Sequence, residues 1–256
     1  MILQTRKTMA AVAAAVMTVA MLWAGEGRAA APAPAGQVKV LVLTGNEYPG
    51  HDWKKTAPLM AKFLATDVRL TTALEDDPKF LASPKLHGFD AIVLNYMNWQ
   101  SPDPGEAARA NFKKFVADGK GLVLVHFACG AFQGWPEFKD IAGRAYDPKL
   151  RGHDPHGKFT VDIADAEHPI TRGLKPFETT DELYTCLAGD KEIRVLATAK
   201  SKVDKKDYLM AFVNQFGKGR VFHCVLGHDV PSLSGAAVQE LFRRGTAWCA
   251  GLPPVP

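Results

Sequence analysis

Three copies of Gly-His-Asp, at Gly50-His51-Asp52, Gly152-His153-Asp154 and Gly227-His228-Asp229, stand at unequal intervals along the chain. Nothing around them is alike, so they are not the period of a repeat architecture and read instead as contributions to one convergent site. Glycine lets the backbone turn sharply or approach closely, imidazole ligates a metal or moves a proton near neutral pH, and a carboxylate orients the ring. His126 ends the most apolar run of the chain, Leu122-Val123-Leu124-Val125. A polar ring there is costly unless it is bonded or functional. His153 and His156 add an H-x-x-H spacing inside a loop rich in Gly and Pro.

Several neutral imidazoles with a carboxylate suit a divalent ion such as zinc, which polarises a carbonyl or lowers the pKa of a bound water. The expected ligands are His126, His153, His156 and His228; the expected acid–base set is His126, His228 and Asp229. His51, Asp181, Glu182 and Tyr184 are expected to bind substrate. Asp52 also stands where it would cap a helix starting at Trp53, and His168, ahead of Pro169, shapes a turn. A second arrangement is a thiol hydrolase, with Cys129 as nucleophile, His228 as base and Asp229 as orienter. No phosphate-binding loop of the P-loop or dinucleotide type is present, so no nucleotide cofactor is expected.

These residues need a scaffold, and the apolar patterning supplies one. Near-continuous apolar runs at Val38 to Thr44, Ala91 to Leu94 and Leu122 to Val125, with a further strand around Val68 to Thr72, alternate with helical segments from Trp53 to Ala65 and Gly105 to Asp118. That alternation predicts an α/β fold with a doubly wound, mostly parallel sheet flanked by helices. Further on, a long loop is expected over Gly143 to Lys158, then strands at Phe159 to Ile163, Ile193 to Ala199 and Leu209 to Gln215. Gly217-Lys218-Gly219 turns into Arg220 to Val225 as a β-hairpin, and a last helix runs from Gly235 to Ala250. Ligands of open α/β sheets bind outside the carboxyl ends of the strands, which is where His51, His126 and His228 fall.

Residues 1–29 read as an export signal, with Arg6 and Lys7 before an apolar stretch and small residues around Ala29. The apolar stretch is shorter than a membrane span, so no lasting anchor is expected after cleavage. Residues 30–37 form an Ala/Pro spacer, 38–252 a single domain and 253–256 a short tail. The expected location is periplasmic or secreted. The net charge of +4 over 256 residues, with no basic run, argues against a nucleic-acid partner and for a small ligand. Cys129, Cys186, Cys224 and Cys249 form no C-x-x-C pair, and free thiols or disulfides both stay open, as does self-association.

Five ordered motifs carry a family likeness: Gly121-Leu122-Val123-Leu124-Val125-His126, the Gly152-His153 loop, His168-Pro169-Ile170-Thr171, Asp181-Glu182-Leu183-Tyr184, and Gly217 to Phe222 continuing through Leu226-Gly227-His228-Asp229. Over Lys39 to Gly251 the chain resembles the trehalose-utilisation (ThuA-like) family. The resemblance implies a flavodoxin-like, class I glutamine-amidotransferase-like fold and a carbohydrate ligand, oxidised (3-keto) glucosides included. In that fold a Cys occupies a strained elbow, G-x-C-x-G. Here His126 holds the elbow and Cys129 lies beyond it, which departs from glutaminase chemistry. The region of His228 is the one that contributes the fold's catalytic histidine. On this reading Trp99, Trp135 and Tyr96 are candidates to stack on a pyranose, and a non-enzymatic carbohydrate-binding role is a third possibility.

Overall fold

The computed structural model describes residues 37–45 and 48–254. The segment read as an export signal, all but the last residue of the spacer, and residues 255–256 lie outside the described residues. In chain order the elements are β1 (Val38–Leu43), α1 (Trp53–Leu64), β2 (Leu70–Glu75), β3 (Ala91–Leu94), α2 (Glu106–Ala117), β4 (Gly121–Val125), α3 (Glu137–Ala142), β5 (Ala145–Tyr146), β6 (Gly157–Ile163), β7 (Phe177–Asp181), β8 (Leu187–Ala188), β9 (Arg194–Lys200), β10 (Asp207–Phe216), β11 (Gly219–Cys224), α4 (Val230–Leu233) and α5 (Ala236–Cys249). Among the described residues, no helix is long and apolar enough to cross a membrane.

Nine strands form one sheet in the order β2-β1-β3-β4-β11-β10-β9-β6-β7, and β5 pairs with β8 beside it. From β2 to β11 neighbouring strands are parallel; from β11 to β7 they are antiparallel. The parallel half explains the unbroken apolar runs, because helices cover both of its faces. Side chains alternate in the usual two-residue period. Val40, Val42, Val93, Val123 and Val125 pack against α1 and α5. Leu41, Leu43, Ile92, Leu94, Leu122 and Leu124 face α2 and α3.

Helix α5 lies unusually close to the sheet. A Cβ on Gly245 would meet Phe222 Cδ1 at 2.1 Å, and one on Gly121 would meet the Cys249 carbonyl carbon at 2.8 Å. The hairpin expected from Gly217-Lys218-Gly219 joins β10 to β11, with Phe216 opposite Gly219. Gly217 has φ +59, and a side chain there would strike the Ala117 carbonyl oxygen at 2.6 Å.

Other expectations need correction. The second strand starts at Leu70 rather than Val68, because the chain first completes a turn in which the Asp67 carboxylate accepts the Arg69 backbone N–H and side chain. The expected loop over Gly143 to Lys158 contains β5, and β6 begins at Gly157. Asp52 sits at the cap position of α1 but makes no side-chain cap bond; its carboxylate pairs with Lys55 at 2.8 Å in solvent. Tyr96 and Trp135 belong to the core beneath α2 rather than to a ligand platform.

His223, on β11, is fully buried against Phe212, with its Nδ1 3.3 Å from the Ala142 carbonyl. Burial pushes its pKa down from 6.5 to about 4. Between those values the unfolded chain takes up a proton that the folded chain refuses, so stability is unaffected above pH 6.5 and falls as pH drops toward 4. The loss from this one ring is on the order of 3 kcal/mol. Urea titrations across the window should show a shallower pH slope for His223→Leu than for the parent; equal slopes would contradict the assignment.

Candidate functional site

The carboxyl ends of β1, β4 and β11 bring three imidazoles together. His51 follows the turn Tyr48-Pro49-Gly50, where Gly50 has φ +89 and the His51 N–H bonds to the Tyr48 carbonyl at 3.1 Å. His126 leaves β4 with φ +45, a left-handed conformation that a non-glycine residue adopts at some cost. His228 follows Gly227, whose φ of +111 lets the chain turn away from β11. The ring centroids lie 5.2 Å apart for His51 and His126, 4.9 Å for His51 and His228, and 5.2 Å for His126 and His228.

The carboxylate that meets these rings is Glu182, not Asp229. Its Oε2 is 3.4 Å from His126 Nε2 and 3.2 Å from His228 Nδ1, and those two nitrogens are 3.3 Å apart. His126 Nδ1 donates to the Val225 carbonyl at 2.7 Å, which leaves Nε2 as the acceptor facing the cleft. The Tyr184 hydroxyl reaches that Nε2 at 2.9 Å. Both ring nitrogens of His51 are buried without a hydrogen-bond partner among the described residues. One ligand atom from each of His51, His126, Glu182 and His228 can be chosen so that all lie within 4.8 Å of one another.

Burial, and next the neighbouring His126 and His228 rings, push His51 down to about 3 and keep it neutral. Burial alone would raise Glu182, but the His126 and His228 imidazoles hold its carboxyl well below the usual range. Burial lowers His228 too, yet the Glu182 carboxylate more than offsets this and its pKa ends above the ordinary value.

Asp181, expected to touch substrate, is fully enclosed beneath the cleft, with its Oδ1 3.9 Å from His126 Nδ1. Its carboxylate accepts the backbone N–H groups of Glu182 at 2.8 Å, Gly227 at 2.7 Å and His228 at 3.3 Å. It therefore ties the end of β7 to the segment that carries His228. Burial draws its pKa upward against the opposing pull of His126 and those three donors.

The other expected residues separate. His153 opens onto the cleft: Nδ1 donates to the Asp154 carbonyl at 2.8 Å and Nε2 stands 3.7 Å from Glu182 Oε1. Its backbone bridges to Tyr184. His156 points away, with Nε2 3.4 Å from Asp229 Oδ2 and its ring 5.2 Å from that of His228. Among the described residues, His156, His228 and Asp229 make a second, more exposed group of possible ligands, and His153 falls in neither group with His156. Asp229 caps α4, accepting from the Ser232 backbone N–H at 2.8 Å.

Cys129 is buried, with its thiol against Cys186, which together with burial raises its pKa well above the ordinary value. Among the described residues no histidine figures in the electrostatics of this thiol, as the base of a nucleophile would. All four cysteines are free.

The cleft beside the histidines encloses about 290 Å³. Its rim is aromatic, which the sequence signalled only through Trp99. The Trp99 indole N–H donates to the Gly130 carbonyl at 2.8 Å, and its ring packs 4.6 Å from Tyr146 and 5.6 Å, edge-on, from Tyr48.

A family model described as trehalose utilisation, ThuA, matches residues 39–249. Among solved structures, a ThuA-like protein from Parabacteroides merdae superposes with a TM-score of 0.76 at 23% identity, covering 86% of this chain and 92% of that one. A ThuA-like protein from Bacteroides uniformis gives 0.70 at 18% identity, covering 86% and 94%. A GMP synthase protein from Thermoplasma acidophilum gives 0.51 at 14%, covering 84% and 94%, a likeness of fold. No curated protein matches.

Removing the Asp181 carboxylate would strand three buried backbone donors. Asp181→Ala should cost about 3 kcal/mol or more in chemical denaturation, with Asp181→Asn between it and the parent. A loss under about 1 kcal/mol for the alanine variant would show that this clamp does not hold the His228 segment.

Proposed function

Because the chain belongs to the ThuA family and so to a role tied to trehalose utilisation, we propose that its histidine cleft binds a divalent ion such as zinc and acts on a carbonyl-bearing sugar, a (3-keto) glucoside or disaccharide. The observation that carries this reading is the triangle of His126 Nε2, His228 Nδ1 and Glu182 Oε2, with edges of 3.2, 3.3 and 3.4 Å. Zinc bonds of about 2.0–2.1 Å in a tetrahedron require donor separations of about 3.3–3.4 Å. The two unpartnered nitrogens of His51 suit a fourth ligand, and the Val225 carbonyl orients His126 as an outer partner would.

A divalent ion in that position supplies polarisation of a sugar carbonyl. The chain's own residues carry the remaining steps. A 3-keto group acidifies the hydrogen on C2, and His153, whose Nε2 lone pair faces the cleft, is placed to take it. The electron pair moves onto the carbonyl oxygen, where the Tyr184 hydroxyl, kept protonated chiefly by burial and released from His126 Nε2 when that lone pair is taken up by the ion, is the donor at hand. Return of that pair breaks the C1–O bond, and His153 gives its proton to the departing oxygen. This is an elimination; addition of water to the product would complete a net hydrolysis. The aromatic rim of Trp99, Tyr48 and Tyr146 provides a surface for a pyranose face. Such chemistry on small sugars agrees with the export signal read in the sequence, and we extend the proposal to a periplasmic or secreted enzyme.

Protein purified without chelator should carry about one zinc per chain and turn over 3-keto-trehalose. His126→Ala and Glu182→Gln should each lose the metal and at least about 100-fold in kcat/KM. Undiminished turnover by His126→Ala would overturn the scheme. Sugar-dependent thermal shifts without turnover or metal would favour a binding protein.

A further inference from the structure

Two thiols that the proposed chemistry leaves unused share the wall of the same cleft. Cys129 lies in the turn His126–Gly130 that follows β4, and Cys186 immediately precedes β8. Both line the cavity, both are free and both are shielded from bulk solvent. Both belong to one core cluster, which also holds Tyr184 and has Tyr146 packed against it, and all four side chains line the one cavity, where the two thiols interact. The backbone on each side is held. The Cys186 carbonyl accepts the Asp147 N–H at 2.8 Å, and the Cys129 turn is pinned where Trp99 bonds to Gly130. Neither of the other two cysteines lines this cavity: Cys224 is enclosed in β11, and the Cys249 thiol donates to the Leu122 carbonyl at 3.2 Å.

We propose that Cys129 and Cys186 are a redox site that closes to a disulfide inside the cleft, stapling the His126 turn to the segment that carries Tyr184. Access from the cleft suits a small oxidant such as hydrogen peroxide. The Cys186 sulfur, as thiolate, attacks one peroxide oxygen; the O–O bond breaks, hydroxide leaves and Cys186 becomes a sulfenic acid. Cys129 then loses its proton and attacks the Cys186 sulfur. The S–S bond forms as the S–O bond breaks, and the departing hydroxide is protonated. Two thiols are oxidised to one disulfide while one peroxide is reduced to two waters. The hydrogen bond from Cys129 favours this direction, since it draws the Cys186 thiol below its ordinary pKa and leaves Cys129 the late-ionising partner.

The site is independent of the sugar chemistry, and its test reads no activity. The reduced full chain is treated with a stoichiometric amount of peroxide and digested without reduction for mass spectrometry. The expected result is a cross-linked peptide pair containing Cys129 and Cys186, lighter by two hydrogens and reversed by dithiothreitol, with Cys224 and Cys249 still free. The bridge should also raise Tm by several degrees, because it closes a long loop in the unfolded chain. Cys129→Ser and Cys186→Ser should each abolish both the link and the rise. Stable sulfenic or sulfinic acid at Cys186 without a link, a bridge through Cys224 or Cys249, or four unaltered thiols would each overturn the proposal.

Discussion

The cleft depends on one buried carboxylate. In the order of the sheet, β7 and β11 are separated by β10, β9 and β6, yet the Asp181 side chain at the end of β7 binds the N–H groups of Gly227 and His228 just past β11. The antiparallel half must therefore curl back over the carboxyl ends of the parallel half. The Ser232 hydroxyl, donating to the Thr180 carbonyl, holds the same closure from α4. An enclosed carboxylate costs several kcal/mol unless its lone pairs are satisfied. Here three backbone donors meet that demand, and the same bonds place Glu182 against His126 and His228.

The repeated Gly-His-Asp takes on a different meaning in the fold. The three histidines reach the same cleft, but none of the three aspartate carboxylates hydrogen-bonds the ring that precedes it; His153 bonds to the backbone carbonyl of Asp154 instead. Asp52 pairs with Lys55 in solvent. Asp154 is buried and anchors its loop by accepting from Arg151, the Ser201 hydroxyl and the Lys202 N–H. Asp229 caps α4. A short residue that accepts backbone or nearby donors is useful wherever a loop must be pinned beside a functional ring, so the carboxylate recurs for reasons of shape.

Much of the parallel half was legible in the sequence, because strands covered on both faces leave long apolar runs and α1, α2 and α5 show helical periodicity. The last strand of the sheet was not. Phe177-Glu178-Thr179-Thr180-Asp181 is mostly polar and lies at an edge, so its strand character comes from pairing with β6. Missing β7 also concealed the separate duties of Asp181 and Glu182, adjacent residues that a strand end points in different directions. The convergence of His51, His126 and His228 followed from topology. The pairing of His156 with Asp229, the contact between Cys129 and Cys186, and the burial of Tyr96 and Trp135 are set by tertiary neighbours distant in sequence.

The indole of Trp99 is fixed by its hydrogen bond to Gly130 and by Tyr146 and Tyr48 around it. A Cβ on Gly130 would approach the indole nitrogen at 2.9 Å, so the ring is seated directly on the backbone that continues from His126. A flat guest meeting this plate does not have to freeze a swinging side chain, and the entropy of ordering is settled when the protein folds. Discrimination among guests then rests on contour, since a rigid plate cannot adjust to a ring of the wrong pucker.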